Sequence, residues 1–438
     1  MQTTGVNAGA RTFFHGVPYE YSNYRQEILG SKTSAWFGIG LNLISPIYDI
    51  TGPDALEFFN SVCVNDFSKL KEGSIRHAIM CNDKGQMLTD GVVMSLPGGV
   101  YRTYWLLPVI DYYVKNTKYD VTGTVMTGKE FFFQIAGPKS LEILEEAFQE
   151  DLHDIKFSKH REVKAGNKTV RVLRLGMAGN LGYEIHGEIQ YMDEIYDLIW
   201  NAGKKYGMTR LGLHAYTLNH TEAGFPNINI HYPLPWYEDE GLAEYLKDKP
   251  MVGAANLNRV LLGSVGNELE QRFVTPYDVG WDFLIKYNHE FRGRAALEKI
   301  AEAPRRTVTT LEWNAEDVGK VYAAQFSGRD GLECECIDDE PCDFYYSNIY
   351  RADKVFVNGK EIGHSAGRTN SYYYKRMISL AFLEKEYAVE GTPVTILWGT
   401  PGKRQMEIRA TVAKFPYNEE FGRNEKIDVS TIPHLNKK

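Results

Sequence analysis

"RLGMAGNLGYEIHG", Arg174 to Gly187, is the stretch on which the reading of this chain turns. Glycines stand at 176, 179 and 182, and a short alternating run carrying Glu184 follows them. The spacing is G-x-x-G-x-x-G running into a strand. A dinucleotide fingerprint needs G-x-G-x-x-G opening a helix, because the helix N-terminus has to meet the pyrophosphate. That class is excluded, and no G-x-x-x-x-G-K-[ST] phosphate loop occurs anywhere in the sequence. Strand alternation puts Tyr183 and Ile185 on one face and Glu184 with His186 on the other. A carboxylate on a rigid strand can accept two parallel hydrogen bonds from an amino-amidine edge, which pterins, guanines and arginines all present. The plainer alternative is a solvated Glu–His pair on a hairpin.

Composition narrows the setting. The chain has 438 residues, 43% hydrophobic and 24% charged, with a net charge of −8. That length suggests several domains, and the acidic balance gives no footprint for nucleic acid or an anionic membrane. The N-terminus has no signal-like apolar core and no apolar run reaches membrane-spanning length, so a soluble cytoplasmic protein is expected. Cysteines at 63, 81, 334, 336 and 342 are too scattered for a disulfide scaffold. The C-x-C-x5-C spacing of the last three suits structural zinc poorly, and no metal site is expected.

Residues 72–95 read as two strands about the turn "NDKGQ". "TGPDALEFFNSV" (51–62) and "AGPKSLEILEEAF" (136–148) each read as a Gly-Pro turn entering an amphipathic helix after a strand-like run. That echo predicts two related α+β units. Helices are expected near 191–202 and 210–223, an irregular loop at 227–240, and a β-rich region from about 306. "GQMLTDGVV" places Asp90 on an apolar strand face with Leu88 and Val92, and "GLHAYTLNHTEAG" places Tyr216 on a helix with Asn219 and His220. Taken singly, these fit a hairpin aspartate and a core tyrosine equally well. Phe13, Phe14, Tyr19, Tyr232, Trp236 and Tyr237 are candidates for an aromatic pocket or for ordinary packing.

Several motifs in order, "YDITGPDALEFFNSV", "FQIAGPKSLEIL", "RLGMAGNLGYEIHG", "TPYDVGWDFLIKYNHEFRGRAAL" and "EIGHSAGRTNSYYYKRMISLAFL", resemble the glycine-cleavage T-protein (aminomethyltransferase) superfamily. "HAYTLNHTEAG" and the insertion before the C-terminal region are similar to its tetrahydrofolate-dependent vanillate and syringate O-demethylases. The resemblance implies an α+β, three-domain cloverleaf around a central folate site. Its domains would be 1–46 with 130–228, 47–129 with 229–305, and a β-rich 306–438. It implies tetrahydrofolate as cofactor, with Glu184, Gly182, Gln134 and Trp281 binding it, and Tyr216 and Asp90 in catalysis. Thr89 replaces one member of the acidic pair carried by aminomethyltransferases, which argues against aminomethyl-lipoyl chemistry.

The implied reaction moves a methyl group from a small aryl methyl ether to N5 of tetrahydrofolate, with Tyr216 as acid at the departing oxygen. Leu106 and Ile44 stand where an arginine and a histidine would meet an acid substrate. A leucine leaves a buried carboxylate unpaired, so a neutral methoxyphenol such as guaiacol is expected, with Phe14 and Trp236 completing the substrate pocket. Arg102, four residues before Leu106, would restore acid binding if the register slipped. The alternatives are demethylation of a sulfonium or quaternary-ammonium donor held in an aromatic cage, and a folate-binding protein without turnover. The oligomeric state is open.

Overall fold

The computed structural model describes residues 5–14, 17–38, 45–228, 230–249, 256–327, 331–337 and 348–435. Two antiparallel-type sheets and a barrel organise the chain. The first sheet has the order Ile75–Cys81, Met87–Leu96, Val100–Tyr104, Ile47–Thr51, Thr122–Val125. The second has the order His160–Ala165, Lys168–Leu173, Gly182–Glu188, Glu130–Ala136, Trp36–Gly38, Thr209–Leu211, the last strand being added in parallel. In each sheet the strand before a Gly-Pro turn occupies the fourth place, and the helix after the turn, Ala55–Val62 or Ser140–Phe148, follows at once.

The echoed turns fold alike for a steric reason. Gly52 and Gly137 have φ of 132° and 138°, and a Cβ on either would overlap a backbone carbonyl oxygen, of Asp120 or of Ser34. Only glycine is free of both penalties. Each turn then launches a helix whose apolar side closes a separate core. Phe58, Phe59 and Val62 pack in one, while Leu141, Leu144 and Phe148 pack in the other.

With Gly52 matched to Gly137, the strand registers match position by position. Asp49 lies opposite Arg102 as Gln134 lies opposite Glu184. Tyr104 is opposite Ile47 as His186 is opposite Phe132. The two sheets meet across the faces bearing these residues. Ile47, Ile75, Met94, Tyr104, Phe132 and Leu173 form one cluster between them. Matched positions touch each other there: the Tyr104 hydroxyl bonds the His186 ring at 2.8 Å, and Ser74 bridges Lys159. Contact between equivalent positions is the mark of a two-fold axis, so the two units are an internal pair related by a half-turn.

Strands Arg306–Trp313, Asp353–Val357, Lys360–Ser371, Arg376–Glu384, Pro393–Trp398 and Met406–Ala413 close into a barrel with its own core around Trp313 and Trp398. Closure removes the exposed edges that an open sheet would leave. The chain then returns to the second sheet. Asn424 Nδ2 donates to the Gly182 carbonyl at 2.9 Å, and Asn418 Nδ2 donates to that of Ala178 at 3.0 Å. This tail straps the glycine segment 176–182. Among the described residues no helix is long and apolar enough to cross a membrane.

Candidate functional site

A cavity of about 630 Å³ opens between the two sheets beside the half-turn axis. It is lined from one side by Gln134, Glu184, Tyr216 and His220, and from the other by His77 and Asp90, with Trp281 and Phe225 between.

Glu184 and Gln134 are direct cross-strand neighbours. Gln134 Nε2 donates to Glu184 Oε1 at 3.0 Å, and His186 Nε2 lies 3.0 Å from Glu184 Oε2. Burial pushes the Tyr104 phenol far up, so its hydroxyl keeps its proton. It therefore donates to His186 Nδ1, which leaves Nε2–H to donate to Glu184. The carboxylate is thus aimed from two sides and retains further lone pairs for a ligand. Gln134 Oε1 is buried without a hydrogen-bond partner. A buried amide oxygen left unpaired costs about 1–3 kcal/mol, so this pole is built to receive a donor.

Tyr216 projects from helix Leu213–Glu222 onto the same pole. Burial raises its pKa most, the nearby Glu184 charge adds to the rise, and the Gln134 amide offsets part of it. His220, one turn on, presents its ring edge-on to Tyr216 with centroids 5.1 Å apart. Burial lowers its pKa to about 4, so it is neutral, and its Nδ1 has no partner.

The opposite pole belongs to the first sheet. Asp90 Oδ2 lies 2.9 Å from His77 Nε2, and the Tyr232 hydroxyl donates to Oδ1 at 3.3 Å. The two residues sit diagonally on adjacent strands, since His77 is opposite Val92. Trp281 meets the His77 ring edge-on at 4.8 Å and packs on Phe225 at 5.3 Å. Trp105 also lines the wall with φ of 69°, an uncommon conformation for a bulky residue, fixed by its N–H to Pro46 O at 3.0 Å and by Thr89 Oγ1 donating to its carbonyl at 2.8 Å.

Five of the residues singled out from the sequence, Glu184, Gln134, Tyr216, Asp90 and Trp281, therefore share one cavity. Gly182 stands behind it against Ala136, whereas Gly176 and Gly179 are on the wall. Leu106 is fully buried in the core behind Trp105, and Trp236 donates to Leu88 O at 2.6 Å within the same core. Phe14 lies on strand Thr12–Phe14, and Ile44 lies outside the described residues. Of the six candidate aromatics, Tyr232, Trp236 and Tyr237 pack with the first unit's core, and the cavity's aromatic lining is Trp281, Phe225, Trp105 and Phe132. His77, Phe225 and the tail residues Arg423 and Asn424 were not foreseen. The only local hint was the i, i+2 pairing of Ile75 and His77 on a buried strand face.

The residues present fit a reduced pterin. An oriented carboxylate, an unpaired amide oxygen, glycine backbone and aromatic walls match its polar edge and its flat ring.

A model for the GCVT N-terminal domain matches residues 46–231. Sesamin methylene transferase of Sinomonas sp. (strain No.22) is 50% identical over 98% of this chain and 96% of its own length. Syringate O-demethylase of Sphingobium sp. (strain NBRC 103272 / SYK-6) is 30% identical over 95% and 92%. The crystal structure of glycine cleavage system aminomethyltransferase T from Bartonella henselae matches with a TM-score of 0.64 at 17% identity, covering 94% of this chain and 95% of that one.

Proposed function

The chain belongs to the glycine-cleavage T-protein superfamily of tetrahydrofolate-dependent one-carbon transferases, and on that footing we propose that it removes the ether carbon of a neutral aromatic ether. Tetrahydrofolate supplies the nucleophile, the N5 lone pair that accepts the carbon. Glu184 and Gln134 hold the amino-amidine edge of the pterin, and Trp281 and Phe225 wall the space in which the donor ring lies. Tyr216 donates a hydrogen bond within this pole.

The observation that carries the neutral donor is the state of Arg102. Its guanidinium is bound bidentately to Asp49 at 2.7 and 2.8 Å and also contacts Glu130 at 3.0 Å. It is spent on two carboxylates away from the cavity. On the wall itself, among the described residues, Arg76 donates to the Asp66 carbonyl and Arg423 to that of Ala223. A benzoate would have to compete with these partners. Guaiacol is the simplest donor of the neutral kind and would yield catechol and 5-methyltetrahydrofolate.

A second reading, a methylenedioxy donor, is favoured by the 50% identity to a protein named for methylene transfer from sesamin. Its carbon lies at the formaldehyde level, so the folate product would be the 5,10-methylene form. Mass spectrometry after anaerobic incubation with tetrahydrofolate separates these readings. Guaiacol, a methylenedioxybenzene, vanillate and glycine betaine would be tested singly. Product with guaiacol or the methylenedioxybenzene is expected. Product from vanillate or betaine alone would overturn the neutral-ether reading.

A further inference from the structure

Resting on that reading, we propose that His77, held by Asp90, is the catalytic acid that protonates the departing aryl oxygen. Several observations converge on it. His77 lines the same cavity as the carboxylate pole but from the other sheet, where a donor ring beyond the pterin would present its oxygen. Its Nε2 faces a carboxylate, which only accepts, so Nε2 carries a proton and Nδ1 is the nitrogen left to a ligand. Among the described residues no protein group is bonded to that nitrogen. Asp90 is itself fixed by the Tyr232 hydroxyl, and Trp281 holds the imidazole by its edge. A base oriented by a carboxylate and an aromatic wall is the arrangement proton transfer requires.

Tyr216 is the weaker candidate on the same criteria. It lines the cavity at the pterin pole, beside Gln134 and Glu184. Burial and the Glu184 charge raise its pKa above that of an ordinary phenol. A phenol whose pKa is raised is a poorer proton donor than an ordinary one. Tyr216 therefore acts as a hydrogen-bond donor, and the transferred proton comes from the other wall.

The proton balance closes. As the carbon–oxygen bond breaks, its electron pair stays on the aryl oxygen, and the imidazolium Nδ1–H proton passes to that oxygen. The amine proton shed by the accepting nitrogen goes to water, from which His77 is recharged. The ionisable groups that share the wall with His77 are Asp90 and Arg76 on its own sheet, with Tyr104 beside them. Glu184, Tyr216 and His220 lie opposite, Arg423 and Glu425 come from the tail, and Tyr232 acts through Asp90.

The test is the pH–rate profile of wild type, His77→Gln and Asp90→Asn with guaiacol and with 4-nitroguaiacol, alongside tetrahydrofolate titration and thermal unfolding. The expected result is a fall in kcat of about 10²-fold in His77→Gln, the range for a positioned acid. Folate Kd should stay within about twofold, and the alkaline limb of the profile should disappear. The loss should shrink with 4-nitroguaiacol, whose phenolate leaves without help. Asp90→Asn should show the same pattern more weakly. A kcat within about threefold of wild type, with the alkaline limb intact, would overturn the proposal for His77. So would a loss of equal size on both donors, which indicates packing alone. Absence of both methyl-folate and methylene-folate from wild type with every aromatic ether would instead remove the functional reading on which the proposal stands.

Discussion

Glu184 is held by Gln134 and His186 before any ligand arrives. Hydrogen bonds to a charged group contribute about 1.5–3 kcal/mol each, so Glu184→Gln should weaken tetrahydrofolate by roughly 10–100-fold while the fold survives. Fluorescence titration beside a melting curve checks this, and an unchanged Kd would place the pterin elsewhere. Tyr216→Phe removes one hydroxyl and little volume. It should weaken tetrahydrofolate by about three- to tenfold and leave kcat nearly unchanged, as a KM–kcat comparison would reveal. The sequence exposed Glu184 and Asp90 through strand alternation together with the family motifs, and Tyr216 through the motif alone. It hid His77, whose partner is diagonal on the next strand, and Trp105, whose backbone turns it inward where Leu106 had been expected. A one-residue difference of that kind depends on φ at Trp105, which no spacing rule encodes.

The helix Leu213–Glu222 is buried along its whole length, so its polar residues are matched by contacts rather than by water. Lys32 and Ser371 meet Glu222, and Thr221 bonds the Gly367 carbonyl and His231. His220 and His231 are pressed by burial from 6.5 to about 4 and about 3. The unfolded chain therefore binds protons that the folded chain refuses between pH 6.5 and 4. Stability is complete above pH 6.5 and is lost as the pH falls through that window. Melting curves should show the decline, and His231→Gln should flatten part of it. Helix positions and the paired Gly-Pro turns were readable from periodicity and turn chemistry. The strap formed by Asn424 on Gly182 was not, because its partners are 242 residues apart.

Over the whole molecule, the half-turn relation puts Glu184 with Gln134 in one unit and Arg102 with Asp49 in the other at equivalent places. The echo of "GPDALEFF" and "GPKSLEIL" announced the pair, yet the sequence could not say that the two sheets meet face to face, since that contact depends on side chains from separate segments. Arg102→Leu would strand Asp49 and Glu130 together. Removing the cation from a partly buried cluster of this sort costs about 1.5–3 kcal/mol, so the variant should melt earlier without any gain in use of vanillate. A stable variant with altered donor preference would make Arg102 a substrate group instead. The same relation has a consequence for stoichiometry. The matched positions Glu184 and Arg102 carry opposite charge, and only Glu184 faces the cavity, while Arg102 is closed on Asp49 and Glu130. A duplicated scaffold thus presents one anionic anchor rather than two, and a single pterin per chain is the expected stoichiometry.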